Sequence, residues 1–148
     1  MKITIGSDHA ATALKDEVKK VLAEFNAEIK DVGTFGTESV DYPDIAEKVC
    51  ADVVSGEFER GIVICGTGIG ISIAANKING IRCALCGDVY SAKMCRAHNN
   101  ANVLAMGGRV IGSGLAGEIV RAWLTTEFAG ERHERRINKI TALEQKNS

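Results

Sequence analysis

The stretch Gly61–Ile78, GIVICGTGIGISIAANKI, predicts a buried strand that turns into a helix through a glycine loop. Its apolar first part ends at Cys65 and has the continuous hydrophobicity of a strand covered on both faces. Three glycines then alternate with Thr67 and Ile69, and Ile71 opens a pattern with helical spacing. A strand, a tight turn and a helix in this order form the repeating unit of a parallel sheet with helical crossovers.

The same alternation runs through the rest of the chain. Strand-like runs occur at Lys2–Ser7, Glu28–Gly33, Gly61–Gly66, Ile81–Gly87 and Asn102–Gly108. Apolar residues at helical spacing separate them, in the segments Leu14–Phe25, Ile45–Val53, Ile71–Ile78, Tyr90–Asn99 and Leu115–Trp123. Asp41 is a plausible cap for the second of these helices, and Pro43 lies in its first turn. The pattern therefore predicts an α/β fold, a five-stranded parallel sheet with helices on both faces and right-handed crossovers.

The end of the chain has a different pattern. Glu131–Lys146 predicts a helix within residues 130–148 that carries a narrow apolar stripe of Ile137, Ile140 and Leu143. Arg132 and Arg136 are four residues apart and share one face of this helix. A terminal helix with so thin a stripe is either an arm that packs on a second subunit or a solvated surface helix, and composition does not separate the two.

Composition limits the class of protein. A chain of 148 residues with 45% hydrophobic and 25% charged residues is typical of one globular domain, here residues 1–148. The net charge of −1 gives no reason to expect nucleic acid or an anionic membrane surface as a partner. No apolar run approaches the roughly 20 residues of a membrane-spanning helix. The start, MKITIGSDH, is too short and too polar for a signal peptide, so a cytoplasmic protein is expected.

The five cysteines predict free thiols rather than disulfides. Their number is odd, and a chain without a secretory signal is expected in a reducing compartment. The string CALC, Cys83 to Cys86, resembles a metal or redox pair, but strand alternation places its two sulfurs on opposite faces of a sheet. We therefore interpret both as small buried residues, and Cys50 and Cys95 in the same way.

The glycine loop does not match the common nucleotide motifs. Gly66, Gly68 and Gly70 give G-x-G-x-G rather than the dinucleotide fingerprint G-x-G-x-x-G, because the sixth position is Ile71. The chain also has no P-loop string. The loop still presents several N–H groups at the start of a helix, where negative charge is stabilised. It is therefore either an anion-binding loop or only a tight strand-to-helix turn.

Cys65 favours the interpretation of the glycine loop as an anion-binding loop. It lies where its strand reaches the edge of the sheet, and a thiol beside a helix N-terminus is stabilised as the thiolate. A base next to several amides can remove a proton from carbon while the amides hold the oxyanion that forms. Thr67 adds a hydroxyl in the same turn. A buried, inert cysteine remains the alternative from the residues alone.

Other polar residues follow the predicted strands and helices. Asp8 and His9 come after the first strand, and His98 and Asn99 end the fourth helix, where His98 could also serve only as a helix C-terminal cation. Arg109 follows the fifth strand and, with Arg132 and Arg136, offers guanidinium groups suited to a phosphate. No Cys/His spacing of a zinc site occurs. This set of residues fits proton transfer on a phosphorylated small molecule.

Five motifs together resemble one family. GSDHA, DYPDIA, GIVICGTGIGISIAANKINGIRCA, YSAKMCRAHNNANVLAMGGRVIG and ERHERRI are similar to ribose-5-phosphate isomerase of the B type, whose family includes galactose-6-phosphate isomerase subunits. The resemblance runs from Lys2 to about Gln145. It implies a Rossmann-like three-layer αβα sandwich that forms a homodimer or tetramer with shared active sites. It also implies interconversion of D-ribose 5-phosphate and D-ribulose 5-phosphate without a metal or organic cofactor.

The resemblance also implies roles for individual residues. Cys65 matches the base that moves the proton between C2 and C1, and His98 matches the residue that opens the sugar ring. The implied contacts to the sugar and the enediolate come from Asp8, Asn99, Thr67 and the loop residues Gly66, Gly68, Ile69 and Gly70. The implied phosphate site consists of His9, Arg109, Arg132 and Arg136, some of them contributed by a partner chain.

Two other functions remain open at this point. A six-carbon sugar phosphate, such as allose or galactose 6-phosphate, would differ only in the length of the pocket. A nucleotide-binding or signalling module on a flavodoxin-like sheet is the alternative from a different class, although Arg109 stands where a receiver domain has a lysine. We predict the strand order 2-1-3-4-5, because it places Asp8 beside Cys65.

Overall fold

The computed structural model describes residues 1–148 and contains a five-stranded sheet in which every pair of neighbouring strands is parallel. The strands are β1 (Lys2–Ser7), β2 (Glu28–Asp31), β3 (Arg60–Cys65), β4 (Cys83–Leu85) and β5 (Val103–Gly107). All five predicted strands are present, and β1 has the predicted bounds. The α/β class predicted from the alternating pattern is confirmed.

Six helices alternate with and follow the strands. They are α1 (Thr12–Glu24), α2 (Tyr42–Val54), α3 (Ile69–Ala75), α4 (Val89–Ala97), α5 (Ser113–Thr125) and α6 (Arg132–Lys146). Asp41 is the N-cap residue of α2, and Pro43 lies in the first turn as predicted, but the Asp41 side chain makes no capping hydrogen bond. The Asp88 carboxylate caps α4 by accepting the N–H of Ser91. None of the six helices combines the length and the hydrophobicity that a membrane-spanning helix requires.

The predicted strand order is wrong at one end of the sheet. The order is β2-β1-β3-β5-β4, so β5 rather than β4 lies next to β3. The physical reason is burial: β5 is buried along its whole length, as a central strand must be, whereas β4 has three residues and ends at the exposed Leu85. The predicted adjacency of β1 and β3 is correct, and it brings Asp8 next to the end of β3.

The crossovers explain the three layers. From β1 to β2 and from β4 to β5 the chain moves one way along the sheet, and from β2 to β3 and from β3 to β4 it moves the other way. Right-handed crossovers therefore place α1 and α4 on one face and α2 and α3 on the other. The packing agrees, because residues of α1, α4 and α5 share one apolar core and residues of α2 and α3 share a second.

The two cores also test the interpretation of the cysteines. Cys86 lies in the core with α1 and α5, while Cys83 packs against the core with α2 and α3, so the two sulfurs are on opposite faces as predicted. All five cysteines are free. Burial raises the pKa of Cys50 to about 12, which makes that thiol inert at neutral pH.

Candidate active site

Cys65 ends β3 at the carboxyl edge of the sheet, directly below the glycine loop. Its sulfur accepts the N–H of Gly68 at 3.2 Å, and its side chain is almost wholly covered, with the residue 4% exposed. Gly68 has a φ of +79°, a left-handed conformation that turns the loop back so that this amide reaches the sulfur. The neighbouring Thr67 is exposed. The sulfur is therefore covered by the glycine loop, whose outer residue Thr67 is exposed to solvent.

Several amides of the loop are free to bind an anion. The N–H groups of Gly66, Thr67 and Gly70 donate to no acceptor within the chain. The loop is held from below instead, because the Gly66 carbonyl accepts the N–H of Arg109 at 2.9 Å and the Cys65 carbonyl accepts that of Gly108 at 2.8 Å. A fixed loop with unpaired N–H groups beside a sulfur is an arrangement that stabilises negative charge on a bound oxygen.

Asp8 and His9 meet this loop from the adjacent strand. The N–H of Asp8 donates to the Ile64 carbonyl at 3.0 Å, which places Asp8 beside the last residues of β3. Asp8 is buried, and its Oδ1 accepts the N–H of Ala10. His9 Nδ1 accepts the N–H of Val40 at 3.2 Å.

Arg109 and Tyr42 lie against the first and the last glycine of the loop. A Cβ built on Gly66 would lie 3.6 Å from Arg109 Nη1, so the exposed guanidinium extends over that glycine. A Cβ on Gly70 would lie 2.6 Å from Cζ of Tyr42, so this ring packs on the glycine. Sequence reasoning missed Tyr42, although it stands in the quoted motif DYPDIA at the start of α2.

The remaining predicted residues lie at the other edge of the sheet. α4 runs back from the carboxyl end of β4, so His98 and Asn99 lie near the amino ends of the strands. Arg82, which precedes β4, donates to the Asn99 carbonyl at 2.9 Å. The ring of His98 stacks on His133 of α6, with 4.2 Å between centroids. A groove of about 610 Å³ between Asn99 and the exposed Leu143 runs along α6 at this edge.

α6 brings two arginines to the same edge. Arg132 and Arg136 are both exposed and flank the buried His133. Burial lowers the pKa of His133, and the neighbouring His98 and the two guanidinium groups lower it further. His133 is a second residue that sequence reasoning missed, and the only signal for it is its position between two arginines in ERHERRI.

One chain therefore holds two clusters rather than one complete site. The carboxyl-edge cluster comprises Asp8, His9, Cys65, Gly66, Thr67, Gly68, Ile69, Gly70 and Arg109. The amino-edge cluster comprises His98, Asn99, Arg132, His133 and Arg136. From Gly61, whose N–H donates to the Asn102 carbonyl near the amino edge, β3 extends about 13 Å to Cys65. The two clusters are thus separated by the length of the sheet.

Comparison with known proteins identifies the family. The family model described as Ribose/Galactose Isomerase matches residues 3–140. The chain belongs to this family. Ribose-5-phosphate isomerase B of Escherichia coli is 50% identical over 145 residues, 98% of this chain and 97% of that protein. A putative sugar phosphate isomerase of Bacillus subtilis is 57% identical over 148 residues, 99% of each chain.

A solved member of the Ribose/Galactose Isomerase family has nearly the same fold. Ribose-5-phosphate isomerase B from Clostridium thermocellum superposes with a TM-score of 0.98 at 56% identity, and the match covers 100% of both chains. The resemblance predicted from the five sequence motifs is thereby confirmed, as are the Rossmann-like sandwich and the class of enzyme, an aldose–ketose isomerase. The nucleotide-binding alternative is not supported by these relatives.

Proposed function

We propose that the chain interconverts D-ribose 5-phosphate and D-ribulose 5-phosphate through a cis-enediolate. The observation that carries this proposal is the contact between the Cys65 sulfur and the Gly68 amide, beside a loop whose Gly66, Thr67 and Gly70 amides are unpaired. A thiolate and an oxyanion site side by side are what proton transfer next to a carbonyl requires.

The proposed reaction has three steps. His98 assists the opening of the sugar ring, which frees the C1 carbonyl. The Cys65 thiolate then takes the proton from C2, and the electron pair moves into the C1–C2 bond while the negative charge on O1 is held by the loop amides. The O2 hydroxyl proton then passes to O1, so that the negative charge moves to O2. As C2 becomes the carbonyl, the electron pair of the C1–C2 double bond takes the proton back from the Cys65 thiol at C1, which restores the thiolate. Triosephosphate isomerase follows the same logic with a glutamate base.

The remaining residues bind the substrate. Asp8 and Asn99 contact sugar hydroxyl groups, and Thr67 lies beside the sugar. His9, Arg109, Arg132 and Arg136 bind the phosphate, a dianion for which guanidinium groups provide paired hydrogen bonds. The exposed position of the three guanidinium groups supports this assignment, because none of them is used in an ion pair within the chain.

A second copy of the chain completes each site. The carboxyl-edge cluster of one copy and the amino-edge cluster of another together supply base, ring-opening histidine and phosphate ligands. In a two-fold dimer the same contact forms twice and gives two equal sites. Residues 130–148 are the arm of this assembly, and the exposed Ile140 and Leu143 on α6 support that role. Five free thiols are in keeping with an enzyme of the reducing cytoplasm.

The test is a coupled assay that compares Cys65→Ala with Cys50→Ala. Both variants remove a buried sulfur from the core with α2 and α3. We expect the first to lose isomerase activity by a factor of about 10³ or more while it stays folded, since proton transfer by a positioned group contributes 10²–10⁴-fold. The second should lose stability but keep turnover.

Near-normal turnover by Cys65→Ala would exclude the proposed base. The same assay run with ribose, allose and galactose phosphates decides between five-carbon and six-carbon substrates. A preference for a six-carbon sugar phosphate would contradict ribose 5-phosphate as the substrate, but it would not contradict Cys65 as the base.

A further inference from the structure

A buried lysine ties the loop after β2 to helix α1. The Lys15 side chain is 1% exposed, and its Nζ donates to Asp31 Oδ1 at 2.9 Å and to the Thr34 carbonyl at 2.6 Å. The same ammonium lies 4.4 Å from the centroid of the Phe35 ring. A buried charge is tolerated only when it is paired and hydrogen-bonded, so these contacts fix both the lysine and the loop residues that it touches.

Asp31 remains ionised in this arrangement. Burial opposes its negative charge, but hydrogen bonds from Lys15, the Gly33 amide and Lys19 outweigh burial and hold the pKa of Asp31 below its usual value. Lys19 reaches the second carboxylate oxygen at 3.0 Å from the solvent side, and its own side chain is 36% exposed. Asp31 would therefore keep a cationic partner without Lys15. Lys15 alone supplies the hydrogen bond to the Thr34 carbonyl and the contact with the Phe35 ring.

The loop leads from that contact to the candidate active site. The Thr34 N–H donates to the Ser7 carbonyl at 2.7 Å, and the Ser7 N–H donates to the Gly33 carbonyl at 2.7 Å. Two backbone hydrogen bonds therefore hold the start of the loop against the end of β1. At its far end, the N–H of Val40 donates to Nδ1 of His9 at 3.2 Å. A ring nitrogen that accepts a hydrogen bond carries no proton, so the proton of a neutral His9 is on Nε2.

We propose that Lys15 is a positioning residue for the phosphate site. By holding Thr34, it keeps the loop of residues 33–40 in the conformation in which Val40 fixes the ring of His9 with Nε2–H as the donor. A phosphate oxygen accepts hydrogen bonds and therefore needs an N–H donor. In the tautomer with its proton on Nδ1, Nε2 of His9 would have no proton to donate to the phosphate. The role of His9 toward phosphate rests on the proposed function, whereas the tautomer of His9 can be measured without any substrate.

Lys15→Met and Lys19→Met form a matched pair of variants. Both remove one ammonium group bound to Asp31, but only the first removes the hydrogen bond to Thr34. The readouts are the ¹⁵N spectrum of the histidine side chains, assigned with His9→Gln, and the separate kcat and KM for ribose 5-phosphate.

We expect wild type and Lys19→Met to show His9 as a single Nε2–H tautomer. In Lys15→Met, the ring should average between tautomers, and KM should rise roughly tenfold with kcat nearly unchanged, as for a weakened hydrogen bond to a charged group. Circular dichroism confirms that each variant is folded. If Lys15→Met does not fold, Lys15→Arg replaces it, because the bulkier guanidinium keeps the charge but changes the donor geometry at Thr34.

Three results would overturn the proposal: averaging tautomers in the wild type, a fixed Nε2–H tautomer in the folded Lys15 variant, or equal effects of the Lys15 and Lys19 substitutions. A wild-type chain without isomerase activity would instead refute the proposed function, and the spectrum would still decide whether Lys15 fixes His9.

Discussion

Cys65 differs from the other four cysteines in what its sulfur contacts. Its Sγ accepts an amide N–H from the loop above it, whereas Cys50 is surrounded by apolar side chains, where burial raises its pKa to about 12. The difference follows from position, because Cys65 ends a strand and Cys50 lies within a helix. Residue type alone does not separate a candidate base from an inert core thiol.

His98 should matter more for cyclic than for open-chain substrate. Its proposed task, ring opening, precedes the proton transfer at carbon. We expect His98→Asn to lower turnover of ribose 5-phosphate, which is mostly cyclic, by about 10²-fold or more, the usual contribution of one acid–base group. Turnover of ribulose 5-phosphate, which has no ring of this kind, should fall much less when initial rates are compared in both directions under matched conditions. Equal losses for both substrates would exclude the ring-opening role.

His133 should make the fold less stable in mild acid. Its pKa in the folded state is lowered from the ordinary 6.5 by burial and by the cationic neighbours His98, Arg132 and Arg136. The unfolded chain therefore binds more protons just below pH 6.5, and the free energy of unfolding should fall as the pH drops through that window.

Urea denaturation at pH 7.5 and at successively lower pH values measures this effect. His133→Gln should remove most of the slope below pH 6.5, because it removes the group whose proton affinity differs between the two states. A slope that is unchanged in this variant would assign the acid sensitivity to other groups.

At the scale of elements, the glycine loop between β3 and α3 is the most demanding part of the fold. Gly68 has a φ of +79°, and a Cβ there would lie 2.7 Å from the carbonyl carbon of Met106 and 2.5 Å from Leu85 Cδ1. Its N–H also holds the Cys65 sulfur. Any larger residue must therefore shift either the loop or the end of β5.

Gly68→Ala and Gly56→Ala separate the loss of stability caused by a left-handed alanine from the loss caused by close packing. Gly56 has a similar φ of +81° but no atom within 4 Å of a built Cβ, so its variant should lose only the roughly 1–2 kcal/mol of a left-handed alanine. Gly68→Ala should lose a further 1–3 kcal/mol, roughly the cost of overpacking, together with most of the activity. Equal losses of stability, or full activity in Gly68→Ala, would contradict a loop that is fixed by close packing.

The sequence predicts the elements better than their arrangement. The apolar runs of β1, β3 and β5 are clear in the sequence because these strands are buried on both faces, and the helices show their periodicity because they bury one side. The order of β4 and β5 was not visible, since consecutive strands are neighbours by default and only the short, partly exposed β4 indicates an edge. Lys15 was missed for a related reason: a lysine on an amphipathic helix is expected in solvent, and its partners Asp31 and Thr34 are distant in sequence.

At the scale of the whole molecule, the candidate residues form two clusters at opposite edges of one sheet. The sequence identifies the members of both clusters through its motifs, but motif order does not show which members meet. The direction of α4 explains the division, because a crossover helix that starts at the carboxyl edge must end at the amino edge. If base and ring-opening histidine act on one sugar, they must come from two copies of the chain.

Complementation between two inactive variants distinguishes a site shared between two chains from a site within one chain. Cys65→Ala and His98→Asn, each nearly inactive alone, are unfolded together, refolded as an equimolar mixture and assayed for isomerisation of ribose 5-phosphate. In the proposed two-fold dimer, random pairing makes half of the dimers mixed. Each mixed dimer holds one site with both residues intact, so a shared site predicts recovery of about a quarter of wild-type activity. Activity in the mixture no higher than the mean of the separate variants would contradict a site shared between two chains.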